Sequence, residues 1–281
     1  MGRMLTDRHL SSVPPLLVNA RMYSVSPATA DAWLSLLQWV LRRARLPWSV
    51  IDHPAPKSLA DLWARPDLGC TLMCGLPYML SRKHAIPLAA PIVRAARYRG
   101  RPIYFTDIVV RASTPFKTLE DTFGGRVGYT TKESQSGYVA LREHLMPYRQ
   151  ARGSALFAEV IGPLINPHGI VNALLEDRID VGPLDSYAHD LMRHVEPKLG
   201  AQLRTVEVTR PAPIPLFAAT APLPQEQVRD LRQAFLQVAR TEELRSVRDI
   251  LLLEDFVIPD ENEYRIFHER SATSDAYPDK W

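Results

Sequence analysis

Cysteine is scarce in this 281-residue chain, which has only Cys70 and Cys74. Two thiols cannot build a disulfide framework or fill a four-ligand zinc site. Their spacing also argues against a bridge, because four residues of extended strand separate them by about 13 Å. We therefore interpret both as small buried hydrophobic residues rather than as a redox pair.

Long apolar runs and a strong excess of one charge are also missing. The longest uncharged apolar stretches, such as residues 86–93, are far shorter than the roughly 20 residues that a membrane span needs. The 34 Lys and Arg residues nearly balance the 31 Asp and Glu residues, and a net charge of +3 gives no argument for a nucleic-acid partner. With 46% hydrophobic and 23% charged residues, the composition predicts a soluble globular protein that does not span a membrane.

Residues 1–12 contain no apolar segment of the kind found in a secretory signal. The sequence therefore leaves two locations open. We expect the periplasm if a leader was removed or is missing, and the cytoplasm otherwise.

Motifs that mark catalytic or cofactor sites are absent as well. The eight histidines are scattered, with no metal-binding pair on a helix and no cluster with cysteine. The sequence has no glycine-rich dinucleotide loop, no P-loop and no Gly-x-Ser-x-Gly nucleophile elbow. We accordingly predict no metal, no cofactor and no catalytic residues.

The chain does contain a regular alternation of short apolar runs with amphipathic stretches. This order predicts strands alternating with helices, and hence parallel pairing and an α/β fold. Polar and Pro-rich segments at residues 112–115 and 211–215 are typical of crossings between two lobes. We predict that residues 13–111 and 213–281 form lobe one, with lobe two, residues 112–212, inserted between them. The cleft between the lobes should be lined by the loops that follow the strands.

A small polar loop at residues 134–137 follows a predicted strand and opens an amphipathic helix. Ser134 and Ser136 offer hydroxyl donors, and Gly137 allows a ligand to approach the backbone closely. The free N–H groups and the positive end of the helix dipole favour an anion there. The alternative is a plain serine N-cap, which this loop alone does not exclude.

Other loops agree with an anion site, although each has a simpler explanation. His168, at the start of the next helix, is either a donor to the same anion or a capping or merely exposed side chain. Asp185 ends a strand, either as a helix N-cap or as an acceptor in the cleft. Tyr23 and Tyr78 lie in the equivalent loops of lobe one, where tyrosine provides a rigid wall and a hydroxyl, or only packing. A Ser136–His168–Asp185 triad can be assembled on paper, but the spacing does not favour nucleophilic catalysis over binding.

Taken in order, these segments resemble the phosphate/phosphonate-type substrate-binding proteins of ABC transporters, which have the type II periplasmic-binding-protein fold. The resemblance spans about residues 70–190. It implies a two-lobed α/β fold with mixed sheets flanked by helices and a ligand cleft between the lobes. The matching segments are residues 104–111, 118–128 and 134–138, His168, residues 172–181 and Asp185.

By this resemblance, six residues match positions of the family's ligand site. They are Tyr78 in lobe one, Ser134, Gln135 and Ser136 in the helix-start loop that holds the phosphonate, His168 at the next helix start, and Asp185 in the cleft. The loop at residues 76–78 is more apolar than is usual in the family.

The resemblance implies a monomeric solute-binding protein that closes on a small anionic ligand, such as a phosphonate or a phosphate ester. It would deliver that ligand to the permease of an ABC transporter by hinge closure, without covalent chemistry. Enzymes of menaquinone and thiamine-precursor biosynthesis share the fold and also lack an export signal, so an enzyme stays open as an alternative. A sensory ligand-binding module is the third possibility.

Overall fold

A computed structural model describes residues 16–81, 85–276 and 281 of the protein. Its strands are short, as is usual for a mixed α/β protein. They are β1 (Leu17–Asn19), β2 (Ser49–Val50), β3 (Leu68–Met73), β4 (Ile86–Val93), β5 (Ile103–Tyr104), β6 (Thr106–Arg111), β7 (Arg126–Gly128), β8 (Glu159–Ile161), β9 (Gly182–Asp185), β10 (Leu203–Val208), β11 (Ala212–Pro213), β12 (Leu216–Ala219) and β13 (Leu253–Val257).

Helices connect these strands and cover the sheets. They are α1 (Pro27–Arg43), α2 (Leu59–Trp63), α3 (Gly75–Ser81), α4 (Ala140–Arg152), α5 (Pro167–Leu175), α6 (Ser186–Val195), α7 (Pro197–Gly200), α8 (Gln225–Gln237), α9 (Arg245–Ile250) and α10 (Ile266–Asp275).

The larger sheet has six strands in the order β13-β4-β12-β3-β1-β2. In this sheet β1 runs parallel to β2 and β3, whereas β12 and β13 run antiparallel to their neighbours. β3 is buried along its whole length, as expected for a central strand that is covered on both faces. We refer to the part of the molecule built on this sheet as the first lobe.

Helix α1 covers the first lobe and begins where the local sequence dictates. Ser26 forms a capping box with Thr29, and Pro27 follows in the first turn, where its missing N–H leaves no hydrogen bond unmade. The apolar stripe of the helix brings the Trp33 ring within 5.8 Å of the Phe217 ring on β12. The N-terminus of α1 is thereby fixed at the edge of the sheet where β1 ends.

The second lobe is built on two smaller sheets. One is the antiparallel sheet β10-β6-β9, and the other is the parallel pair β7-β8. An isolated β-bridge between Val127 of β7 and Val181, which directly precedes β9, links these two sheets. Helices α4, α5 and α6 pack against these strands. The predicted α/β class with mixed sheets flanked by helices is confirmed.

Strand direction is where the sequence-based prediction fails in part. Parallel pairing is correct for β1 with β2 and β3, and for β7 with β8, where helices lie between the strands. It is wrong for β12 and β13, which enter the large sheet from the C-terminal part of the chain and pair antiparallel. An alternation pattern reports only neighbours in sequence and cannot detect strands that return from far along the chain.

The predicted loop around Tyr78 is helix α3, which starts directly after β3. The helix begins at Gly75, where only glycine fits, because a Cβ atom there would lie 1.9 Å from Cε2 of Phe267. Pro77 falls within the first turn, where a proline is tolerated.

The division of the chain at residues 112 and 212 stays a prediction, and the strand pairing suggests how to adjust it. β6 lies between β9 and β10, so its residues belong with the second lobe although they precede residue 112. β5 and β11 pair with each other. In the sequence β5 directly precedes β6 and β11 directly precedes β12, as expected for two adjacent segments that cross between the lobes. The Trp281 ring packs on Tyr129 and Tyr138 of the second lobe, although it follows residue 212.

Both cysteines are buried free thiols, and burial raises the pKa of each, in agreement with their interpretation as small buried hydrophobic residues. In the part of the chain that the structure describes, every helix is too short or too polar to cross a membrane.

Candidate functional site

A cleft of about 1010 Å³ lies between the two lobes. Its walls contain the residues at which strands of both lobes end or that directly follow those ends. They include Asn19 of β1, Ile51 after β2 and Cys74 after β3 in the first lobe, and Thr130 after β7 and Asp185 of β9 in the second. This is the position expected for a ligand of open α/β sheets.

Four helix N-termini open onto this cleft, one from the first lobe and three from the second. The N-cap residue of each one lines the wall: Ser26 of α1, Ser134 of the helical segment that leads into α4, Asn166 of α5 and Asp185 of α6. Because each terminus carries a partial positive charge, their convergence favours an anionic ligand.

The segment before α4 begins with a π-helical turn at Gln135–Val139. Ser134 Oγ accepts a hydrogen bond of 3.0 Å from the Gly137 N–H, so Ser134 is an N-cap as the simpler interpretation held. Ser136 also lines the cleft, and its hydroxyl makes no hydrogen bond with the described residues, which leaves it free to donate to a ligand. Turns of this π type are often found at functional sites.

Gly137 fits tightly against Thr130. A Cβ atom at Gly137 would lie 1.8 Å from Thr130 Oγ1, so no larger residue can occupy this position without a shift. The Thr130 hydroxyl is itself buried, lines the cleft and has no hydrogen-bond partner within the described ranges. Together with Ser136 it forms a pair of unused hydroxyl groups on one wall.

His168 lines the cleft at the start of α5 but is already engaged. Its Nε2 donates to the carbonyl oxygen of Val25 in the first lobe at 2.6 Å. The histidine therefore connects the two lobes, and it is not directed only at a ligand in this structure.

Asp185 combines the two roles that the sequence left open. Its Oδ1 accepts hydrogen bonds from the backbone N–H groups of Tyr187 and Ala188 at 2.9 and 3.1 Å, which caps α6. Its Oδ2 accepts a 3.2 Å hydrogen bond from the Tyr23 hydroxyl of the first lobe. Burial raises the pKa of Asp185 to about 7, although these hydrogen bonds oppose the shift.

Three of the predicted site residues do not line the cleft. Tyr23 is buried behind Asp185, with its ring 4.4 Å from the Tyr187 ring. Tyr78 is turned inward by α3, where its ring lies 5.4 Å from that of Tyr264. The side chain of Gln135 is buried below the π-helical turn. The structure thus brings together Ser134, Ser136, Gly137, His168 and Asp185 on the cleft wall.

Arg21 is a cleft residue that the sequence analysis did not single out. It follows β1, lines the cleft and donates a hydrogen bond to the backbone carbonyl oxygen of Lys57. Burial lowers the pKa of Arg21, and no carboxylate in the described part of the chain offsets that effect. Its position directly after a strand that ends at the cleft was the available signal.

The Ser136, His168 and Asp185 side chains do not form a catalytic triad. His168 is hydrogen-bonded to Val25, and Asp185 to Tyr23 and the α6 backbone, rather than to one another. Across residues 16–81 and 85–276, no group of three or more His, Cys, Asp or Glu side chains is arranged to hold a metal ion.

Comparison with known proteins agrees with a binding site. Residues 67–264 match the model of a family described as the periplasmic substrate-binding proteins of phosphonate ABC transporters. The chain belongs to this family. It is therefore a solute-binding protein of an ABC transporter rather than an enzyme of similar fold.

Solved structures show the same fold at low sequence identity. A binding protein component of an ABC phosphonate transporter from Pseudomonas aeruginosa is 16% identical with a TM-score of 0.76, and covers 93% of this chain and 88% of that chain. PhnD1 from Prochlorococcus marinus, in complex with methylphosphonate, is 14% identical with a TM-score of 0.75, covering 93% and 98%. A Xanthomonas citri protein bound to ATP is 20% identical with a TM-score of 0.63, covering 93% and 97%. Among curated proteins, none matches this chain.

Proposed function

We propose that the cleft binds the phosphonate or phosphate-ester group of a small organic ligand between the π-helical turn and Arg21. The observation that carries this proposal is the convergence on a single cleft of four helix N-termini and one guanidinium, that of Arg21, which has no carboxylate partner among the residues described. Helix N-termini stabilise an anion through their N–H groups, and a half-buried cation gains most from a counter-charge.

The hydroxyl groups would complete the anion site. Ser136 and Thr130 line the same wall and are not used in hydrogen bonds by the residues described. Phosphonate oxygens accept several hydrogen bonds at once, and bonds to a charged acceptor are stronger than those between neutral groups. The methylphosphonate bound to the Prochlorococcus relative supports the same ligand chemistry.

Two hydrogen bonds across the cleft support closure of the lobes around the ligand. Tyr23 donates to Asp185, and His168 donates to Val25, each between one lobe and the other. We infer that these contacts stabilise the closed form of the protein. The protein would present this closed form to the permease as a monomer. The periplasmic family supports that compartment for this chain.

Calorimetric titration with methylphosphonate tests the proposal. A hydrogen bond to a charged acceptor contributes about 1.5–3 kcal/mol, so Ser136→Ala should weaken binding by about 10- to 150-fold. Arg21→Gln should weaken binding at least as much and reduce its dependence on salt. Ser35→Ala, at an exposed serine of α1 outside the cleft wall, is the matched control and should bind as the unmodified protein does.

Thermal melts separate binding from folding. Ser136 does not cap the helix, so its loss should leave the melting temperature nearly unchanged, whereas Ser134→Ala removes the cap to Gly137 and costs about 1 kcal/mol. Unchanged affinity in both Ser136→Ala and Arg21→Gln would refute the anion site.

A further inference from the structure

The cleft wall also includes apolar residues of α1, the end of β2 and α2, and we call the part of the cleft that they line the annex. Helix α1 contributes residues at the spacing of one helical face, and α2 and the end of β2 complete the walls. The annex is lined by Trp33, Leu34, Leu37, Val50, Leu59 and Trp63. Of the charged first-lobe residues that line the cleft, Asp31, Asp52 and Lys57 are exposed and Arg21 is half-buried.

Closure of the lobes would not fill the annex. All six of its residues come from the first lobe, before residue 64, so their spacing does not depend on the hinge. The two lobes are also already joined across the cleft by the Tyr23–Asp185 and His168–Val25 hydrogen bonds. The annex is therefore a property of the first lobe rather than a gap left by an open form.

The annex is unusual for a site that would hold only a small anion. The whole cleft, anion site and annex together, has a volume of about 1010 Å³, at the upper end of the ~300–1,000 Å³ typical of pockets that enclose drug-sized ligands. Leu34, which lines the cleft, is 39% exposed. The Nε1–H groups of Trp33 and Trp63 are buried without hydrogen-bond partners among the described residues, whereas buried tryptophan usually finds an acceptor.

We propose that the natural ligand is a phosphonate or phosphate monoester whose organic part is a large apolar group that occupies the annex. The inference rests on the proposed function, because the π-helical turn and Arg21 would hold the anionic group. The organic group would cover Leu34 and the indole faces. An acceptor atom on that group would supply the partner that the buried indole N–H groups lack.

A series of alkylphosphonates tests this inference by calorimetric titration. Methyl-, butyl-, hexyl- and octylphosphonate share the anionic group and differ only in apolar surface. Burial of each further methylene should strengthen binding by up to about fourfold, so the five further methylenes of hexylphosphonate should strengthen binding by up to about 1,000-fold relative to methylphosphonate. The gain should level off once the chain exceeds the annex.

Two charged variants on adjacent positions of α1 locate the alkyl chain. Leu34→Asp places a carboxylate in the annex and should remove most of the dependence of affinity on chain length. Ser35→Asp adds the same charge at an exposed position outside the cleft wall and should retain that dependence. Both positions are exposed, and a thermal melt of each variant verifies folding.

The outcomes separate the inference from the proposed function. If methylphosphonate binds but longer chains bind no more tightly, the annex inference is overturned while the anion site stands. Equal dependence on chain length in Leu34→Asp and the unmodified protein would also overturn it, because the chain would then lie elsewhere. If no member of the series binds, the proposed function fails and the inference fails with it.

Discussion

Two aspartates on neighbouring strands show how the surroundings of a buried carboxylate decide its role. Asp107 on β6 and Asp185 on β9 lie one residue out of register and are 0% and 8% exposed. Asp107 accepts hydrogen bonds of 3.1 and 3.0 Å from Arg97 and one of 2.7 Å from His189. Burial alone would raise the pKa of Asp107, but these partners hold it below its ordinary value.

No cation of the described residues lies beside Asp185. Its partners are the Tyr23 hydroxyl and two backbone N–H groups, which only partly offset burial, so its pKa rises to about 7. On one sheet, the carboxylate bound by Arg97 and His189 therefore joins β6 to α6, whereas Asp185, which lacks such partners among the described residues, lies on the cleft wall. We expect Asp107 to stabilise the fold and Asp185 to be easily protonated near neutral pH.

The largest effect is expected for Asp107→Asn. The substitution leaves Arg97 and the buried His189 facing a neutral group, and removing one partner of a buried ion pair should cost about 3 kcal/mol. Urea unfolding at pH 7 measures the loss. Asp249→Asn, which breaks the exposed pair with Arg94, is the control and should change stability far less.

The pH dependence gives a second check on Asp107. A carboxylate with a lowered pKa in the folded state adds stability above its ordinary pKa, and that stability is lost as the pH falls through the folded value. The difference between the unmodified protein and Asp107→Asn should therefore shrink below about pH 4. A difference that persists unchanged at lower pH would mean that packing rather than charge is responsible.

For Asp185 the dependence of stability on pH should have the opposite sign, and Asp185→Asn should remove it. With a folded pKa raised to about 7, the unmodified protein binds more protons than its unfolded chain between about pH 4 and 7, so its stability falls as the pH rises through that window. Asparagine caps helices as well as aspartate and does not titrate. Relative to the unmodified protein, the variant should gain about 1–3 kcal/mol between pH 5 and 8, measured by urea unfolding.

A carboxylate on the opposite, first-lobe wall of the cleft provides a control for this result. Asp31→Asn removes an exposed carboxylate that also lines the cleft and should leave the pH profile of the unmodified protein unchanged. If Asp185→Asn followed the same profile as well, Asp185 would not be the group that titrates near neutral pH.

The parts of the fold that depend on local signals could be predicted from the sequence. Ser26 and Pro27, for example, mark the start of α1 by the N-cap serine and the first-turn proline. Helix α3 could not be predicted in this way. In the local sequence Gly75 and Pro77 indicate a turn, whereas the glycine is required by close packing against Phe267, which is far along the chain. The antiparallel pairing of β12 and β13 with β3 and β4 likewise depends on tertiary packing and leaves no pattern in the local sequence.

The residues of the candidate site likewise fall into those that local sequence could predict and those that it could not. Ser134, His168 and Asp185 lie at helix starts or strand ends, which sequence can recognise, and they do line the cleft. Tyr78 could not be assigned, because a tyrosine after a strand can point into the core as readily as into a cleft. Arg21 carries no motif at all, and only the pairing of β1 beside β3 places it at the cleft.

The smallest effect is expected for Tyr23→Phe, which alters the neutral surroundings of Asp185 without touching its charge. The variant loses the 3.2 Å hydrogen bond that the Tyr23 hydroxyl donates, at a cost of about 1 kcal/mol. Because that bond lowers the pKa of Asp185, its removal should move the midpoint of the pH-dependent loss of stability upward. Tyr187→Phe also removes a buried hydroxyl, which donates to the Leu251 carbonyl at 2.6 Å, and should reduce stability without moving the midpoint. Equal midpoints in urea titrations of the two variants would show that the Tyr23 hydroxyl does not influence the carboxylate.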